Sequence, residues 1–399
     1  MKLSLILWLL VWAGMYSGLY NLRYSEWSAD PFSFLQGARA LLPILAVYLC
    51  IMWILFSQSK LLSPFKTPLG LLFGYCIVGI AASFFSPDSL RALYWGTLYL
   101  SPLLVVWIIS TKNNSLDNLR TTIYFNYLLA IIVMCAVLPE AIHFGLVRNQ
   151  IYILPFDIGI IRANGVGRFA LLVIIISFVR LTTPTKGQRW FWLILLVPSL
   201  YLLLQTQSRS SLVGLAIAGI LVVYLRGMDW RLIFVGPVAA YIIWLSGFQL
   251  RAKGQIEELF LLTGREYLWQ RGIALIEQSP ILGCGFHADR IMLEFGHMHN
   301  SYFHALVQSG IVGTLFFIGA ILAIWRFVFR NNLHKKIRNV QGSDQALLIE
   351  SLIFLAFLTF RTLVESTGAF YGVDLLMLVP LIGYIQWWNR ENITKSMVR

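Results

Sequence analysis

Charge is what this chain has least of. Of its 399 residues only 12% are Asp, Glu, Lys or Arg, where a soluble domain carries about 25%. Acids are scarcest, with 18 Asp+Glu against 31 Lys+Arg. Together with 58% apolar residues and a mean hydropathy of +0.73, this scarcity excludes a soluble enzyme and a disordered chain. Cysteine is scarce too. Cys50, Cys76 and Cys135 lie inside apolar runs, Cys284 stands apart, and none forms a CxxC pair. Neither a disulfide framework nor a thiolate metal site is indicated. Strict apolar–polar alternation is missing, which excludes an outer-membrane β-barrel.

What the chain does have is long apolar runs. Twelve are read, at about 3–20, 39–57, 68–85, 91–110, 121–138, 165–182, 190–206, 211–226, 230–248, 302–325, 345–364 and 370–388. A membrane-crossing helix needs roughly 20 apolar residues. The expected fold is therefore all-α: a polytopic membrane protein with about 12 transmembrane helices, residues 1–399 forming a single transmembrane domain. Lys2 precedes the first run and no small-residue cleavage site follows it, so that run reads as a retained span rather than a signal peptide. Residues 139–164 form a modest insertion. Residues 249–301 form one large loop between spans 9 and 10, with an amphipathic helix expected over about 264–279.

The net charge is +13. In a soluble protein this would suggest nucleic acid; here topogenic loop charge and sites for anionic lipid-linked groups compete, and no nucleic-acid partner is expected. Twelve spans put both termini on one side. That side holds 18 of the Lys+Arg residues on short loops, 8 of them Lys, and reads as cytoplasmic. The opposite side holds the other 13, and Lys253 is the only Lys among them. Neither topology nor solubility explains that arginine bias. Some of these arginines are expected to pair with Glu266, Glu365 and Asp289. The rest offer a planar, permanently charged fork, the geometry that grips phosphate.

Five stretches carry the chemistry. Arg162-Ala-Asn-Gly165-Val-Gly167-Arg168 opens the sixth span, with two glycines for close backbone approach beside two cations. Gln207-Ser208-Arg209-Ser210-Ser211 is a very short loop at a helix start, a place suited to anions. Thr263 and Glu266 fit a capping box for the loop helix, and Leu268, Trp269, Ile273 and Ile276 give it an apolar face for the membrane or the bundle. Arg265 in its first turn opposes the helix dipole by up to about 1 kcal/mol, which an anionic ligand would explain. Pro280-Ile-Leu-Gly283-Cys-Gly285-Phe286 reads as a tight loop. His297-Met298-His299-Asn300 leads into the tenth span and on to Gly310-Ile-Val-Gly313-Thr314, where the two glycines permit close helix packing.

Four of the six histidines fall between positions 287 and 304. No neighbouring acid or Cys completes a tetrahedral set, so no metal is expected. A histidine titrating near pH 7 suits the deprotonation of a hydroxyl. The reaction these residues suggest holds a diphosphate leaving group on arginines while a histidine activates an acceptor hydroxyl, and needs no cofactor. Arg361 and Glu365, one helical turn apart, are expected to pair.

These features resemble the O-antigen ligase/polymerase superfamily of bacterial inner-membrane glycosyltransferases, over most of the chain. The resemblance rests on the span count with its large loop, on Ser208-Arg209-Ser210, and on Gly264-Arg265-x-x-Leu268-Trp269. Its most specific part is His299-Asn300 followed at fixed distance by Gly310-x-x-Gly313-Thr314. It implies an O-antigen ligase that moves undecaprenyl-diphosphate-linked glycan to lipid A–core at the periplasmic face. It implies His299 as catalytic base and Arg209 and Arg265 as diphosphate ligands. Arg162 matches the family's arginine before the sixth span less closely, because the Pro-Asn that usually follows is missing here and Arg168 stands nearby, and Arg91 matches by position only. Asn300, His297 and Arg361 are secondary candidates. A polymerase joining lipid-linked repeat units shares the donor site and stays open as the alternative. A lipid-linked glycan transporter is the lesser one, since no internal repeat is seen.

Overall fold

The computed structural model describes residues 3–14, 33–57, 67–111, 115–144, 163–183, 189–206, 208–234, 265–293 and 297–397. Among the described residues every regular element is helical. In chain order the α-helices are α1 (Leu3–Ala13), α2 (Ser33–Phe56), α3 (Pro68–Ser83), α4 (Ser89–Thr111), α5 (Ser115–Phe144), α6 (Ala163–Leu181) and α7 (Arg189–Thr206). They continue with α8 (Arg209–Arg226), α9 (Arg265–Gln278), α10 (Ala288–Met292), α11 (Ser301–Arg330), α12 (Leu333–Lys336), α13 (Gly342–Val364) and α14 (Val373–Met397). Among the described residues, 7 helices are long and apolar enough to cross a bilayer: α4 to α8, α11 and α13. Shorter apolar helices lie at Leu3–Ala13, Ala40–Phe56 and Pro68–Ser83. The protein is an all-helical polytopic membrane protein.

The apolar runs locate the helices, and local chemistry moves their ends. Pro68 starts α3 behind an extended Thr67, a favourable first position for proline. α8 stops at Gly227, whose left-handed φ of 65° lets two backbone N–H groups turn back onto Tyr224 and Val223. α5 outruns the expected 121–138 at both ends, so part of the expected insertion at 139–164 is helix. Of the expected ninth span, Trp230–Phe234 is a 3-10 turn and the rest lies outside the described residues. The expected loop helix is present over Arg265–Gln278.

α4, α6 and α13 form the centre of the bundle. Of their apolar stretches 67%, 67% and 72% are buried, against 22% for α7, which faces outward. The helices sort their charged side chains into two groups at opposite ends. At one end Arg180, late in α6, forks onto Glu350 in α13 at 2.6 and 3.1 Å. Beside it Arg226 at the end of α8 donates to Gln345 at 2.8 Å, and Arg120 in α5 reaches Asp344 at 2.9 Å. At the other end lie Arg168 early in α6, Ser210 early in α8, Arg361 late in α13 and Asp374 in the first turn of α14.

α11 is broken. Gly310 adopts φ 59°, ψ −164°, conformations outside the helical region. The sequence reading gave Gly310 a packing role; the structure gives it a backbone one. The break frees the carbonyls of Val307 and Gln308, which accept from Cys284 and Gly285 at 2.8 and 2.9 Å. It frees the N–H groups of Ile311 and Val312, which donate to Pro280 and Ile281 at 2.8 and 3.2 Å. Four backbone groups opened by the kink are thus paired by the 280–285 loop, as burial demands. A Cβ on Gly310 would stand 2.3 Å from the Ile281 carbonyl carbon, and one on Gly283 2.5 Å from the Gly310 nitrogen. Phe286 then plugs the loop into the bundle, buried between Gly79 of α3 and Gly96 of α4.

Candidate functional site

The site is built where α11 begins and α13 ends. Asn300 caps α11, its side-chain oxygen accepting from the N–H groups of Tyr302 and Phe303 at 2.9 and 3.1 Å. Its amide nitrogen donates to the Leu363 carbonyl at 2.9 Å. Ser301 Oγ lies 2.9 Å from the carbonyls of both Glu365 and Thr367, and the Tyr302 hydroxyl meets Thr362 at 2.9 Å. Three consecutive residues therefore tie the start of α11 to the end of α13. Asn300, a secondary candidate from sequence, has both ends of its amide occupied by these structural bonds.

His299 stands just before this anchor, with a left-handed φ of 48°. For a side chain other than glycine that conformation costs about 1–2 kcal/mol. Its ring nitrogen Nδ1 lies 3.1 Å from Glu365 Oε2, and its side chain is 30% exposed. Glu365 shares its second oxygen with Arg265, at 3.9 Å from Nη2. Arg265 also donates to the Val364 carbonyl at 3.0 Å. Burial works to raise the Glu365 carboxyl, but the hydrogen bond with His299 and the charges of Arg361 and Arg265 outweigh it and hold it below its usual range. Glu365 is thus an anion placed between an imidazole and a guanidinium.

The expected Arg361–Glu365 pair does not form. Glu365 is the residue at which α13 ends, with extended φ −145° and ψ 161°, so the i,i+4 geometry is lost. Arg361 instead reaches Asp374 at 3.2 Å and Ser210 at 3.3 Å. Asp374 also takes Arg168 at 2.8 Å and the Thr367 hydroxyl at 2.9 Å. Two candidate arginines thus share one carboxylate, which leaves the group net positive. Gly167 makes this approach possible: a Cβ there would stand 2.8 Å from Ser208 Cβ in the turn before α8. Arg209 opens α8, exposed, next to the Ser210 that Arg361 touches.

The remaining candidates separate. Arg91 pairs with Asp88 at 3.1 Å on an exposed face, and its charge bears on His287. Arg162 lies outside the described residues, as does Thr263 of the expected capping box. The apolar face of α9 packs on the bundle rather than on lipid: Leu268, Trp269 and Ile276 join a cluster around Leu275, Met298 and Val307, while Ile273 stays exposed.

Sequence reasoning missed two groups. Asp374 is a lone acid in an apolar span, and that scarcity was its available signal. Beneath the site a second cluster is buried: Asp289 Oδ2 lies 2.8 Å from His304 Nδ1, with both side chains 0% exposed. Asp289 had been expected to take an arginine. His297 adjoins this cluster, its ring 5.7 Å from that of His304 and 4.5 Å from that of His299. Burial, then the charges of His304 and Arg290, push His297 down to about 2, so it stays neutral.

Comparison with known proteins finds two similarities. Residues 194–318 match the family model described as O-Antigen ligase. That stretch holds Arg209, Arg265, His299 and the Gly310 break, and ends before Glu365 and Asp374. The chain is also 25% identical over 318 residues to the exopolysaccharide production protein ExoQ of Rhizobium meliloti (strain 1021), covering 71% of each chain. Residues 194–318, within a polytopic membrane protein, are thus similar to the O-antigen ligase family.

Proposed function

We propose that this protein is a glycosyltransferase of the bacterial inner membrane that moves a glycan from undecaprenyl diphosphate to an acceptor hydroxyl. In the reading favoured here it is an O-antigen ligase and the acceptor is lipid A–core. The observation that carries the proposal is the line His299–Glu365–Arg265. The Nδ1–H of His299 donates a hydrogen bond to Glu365, which leaves the lone pair on Nε2 as the base. Nε2 takes the proton of the acceptor hydroxyl, the oxygen attacks the anomeric carbon with inversion, and the bond from that carbon to the diphosphate oxygen breaks. Undecaprenyl diphosphate leaves with the electron pair. Arg265 and Arg209 hold the charge that develops on it, with Arg168 and Arg361 lending the net positive field around Asp374. Arg162, which lies outside the described residues, and Arg91 remain further candidates for binding the diphosphate. The arginine-rich end faces the periplasm, both termini face the cytoplasm, and twelve spans carry the chain across.

A second reading has its own support. The similarity to a protein named for exopolysaccharide production extends well beyond the 194–318 match. In that reading the same donor site serves a polymerase that joins lipid-linked repeat units.

A deletion strain separates the two. Loss of a ligase leaves rough lipopolysaccharide with long polymer on the lipid carrier; loss of a polymerase leaves single repeats. Glycan transfer by the purified chain in detergent supports either enzyme, and its absence there, with export lost in the strain, would point to a transporter.

A further inference from the structure

The left-handed backbone of His299 has its own hydrogen bond. The His299 N–H donates to His297 Nδ1 at 3.0 Å. We propose that His297 is a positioning residue for His299: its Nδ1 lone pair fixes the backbone turn that sets the His299 imidazole against Glu365 and toward the acceptor. The inference rests on His299 being the base of the proposed reaction.

The surroundings of His297 are those of a fixed acceptor. An Nδ1 that receives an N–H must be bare, so the ring is neutral with its proton on Nε2. Burial and the nearby cations keep it so. The ring is wedged against Phe370, 5.7 Å away and edge-on, and against His304, which Asp289 holds from behind. Met298, between the two histidines, is fully buried, and its carbonyl accepts from Trp269 Nε1 at 2.7 Å. Its sulfur fills the space left by Gly272, where a Cβ would stand 2.7 Å away. Asn300 is held by its cap and by Leu363. Residues 297, 298 and 300 are each anchored in the protein, and His299 is turned outward from between them. A hydroxyl or an amide oxygen at position 297 can accept an N–H two residues on, as in an Asx or ST turn. An aliphatic side chain cannot.

The test compares His297→Asn with His297→Leu in the purified full-length protein in detergent, using an undecaprenyl-diphosphate-linked glycan donor and varied donor concentration. His297→Leu is expected to lower kcat at least about 10-fold with donor KM within about 2-fold, because only the base is misaimed. His297→Asn is expected to recover kcat to within about 3-fold of wild type. Wild-type turnover in His297→Leu overturns the proposal, as does a folded His297→Asn no better than His297→Leu. Should the Leu variant fail to accumulate, Ser against Ala at the same position makes the same comparison. His299→Ala is assayed alongside. Full activity there overturns the base assignment itself; an inactive His299→Ala beside an unaffected His297→Leu overturns the positioning role alone.

Discussion

Glu365 Oε2 lies 3.1 Å from His299 Nδ1, joining the end of α13 to the residue before α11. The two are 66 positions apart in the chain, and Ser301, Asn300 and Tyr302 hold the helix ends that bring them together. A carboxylate on Nδ1 fixes the tautomer, fixes the ring orientation and stabilises the imidazolium that forms when Nε2 takes a proton.

Glu365→Gln keeps the shape of this partner and removes its charge. The account expects kcat to fall about 100-fold, in the range by which a positioned base accelerates proton transfer, with donor KM changing far less. Steady-state kinetics on the purified variant decide it, and a kcat within threefold of wild type would remove Glu365 from the mechanism.

Arg265 offers a fork, and the fork is what lysine lacks. Arg265→Lys keeps the charge but cannot grip two oxygens at once, so donor KM is expected to rise about 10-fold. The measurement is transfer rate against donor concentration. An unchanged KM would mean that Arg265 serves only the Val364 carbonyl and Glu365.

Gly310 supports the fold through its backbone. Gly310→Ala adds a Cβ 2.3 Å from the Ile281 carbonyl carbon at a positive φ, so loss of at least about 3 kcal/mol, or failure to accumulate, is expected. Gly219→Ala meets nothing within 4 Å on α8 and should be neutral or stabilising by about 0.5–1 kcal/mol. Thermal melting of the two variants in detergent tests the contrast; equal melting temperatures would contradict the broken-helix account.

Much of this was legible in the sequence, and the limits have physical causes. Apolar runs locate helices because lipid demands them, and among the arginines singled out in the sequence Arg168 and Arg361 meet at Asp374 and Arg265 adjoins Glu365. The partner of Arg361 was not legible. Sequence spacing assumes that the helix continues to Glu365, whereas α13 ends there and releases the carboxylate to His299. Asp374 lies 206 positions from Arg168, beyond any local pattern. A glycine in an apolar run looks the same whether it packs a helix or breaks one, so the role of Gly310 needed coordinates.

Acid should loosen the protein through its loop histidines. Burial is the main cause that pushes His287 down to about 3 and His297 to about 2, both from an ordinary 6.5. Below pH 6.5 the unfolded chain therefore binds more protons than the folded one, and stability falls with pH, by at most about 1.4 kcal/mol per unit for each group. The depressed Glu365 adds to the fall below its usual 4.5. Melting temperatures should decline from pH 7 to pH 5, less steeply in His297→Asn. A flat profile would mean that these rings are not held neutral.

The most direct test is glycan transfer from an undecaprenyl-diphosphate-linked donor by purified wild-type protein and by His299→Ala in the same detergent. The account predicts turnover by the wild type and background rates in the variant, with matching melting temperatures. A folded His299→Ala that transfers glycan at the wild-type rate would contradict it.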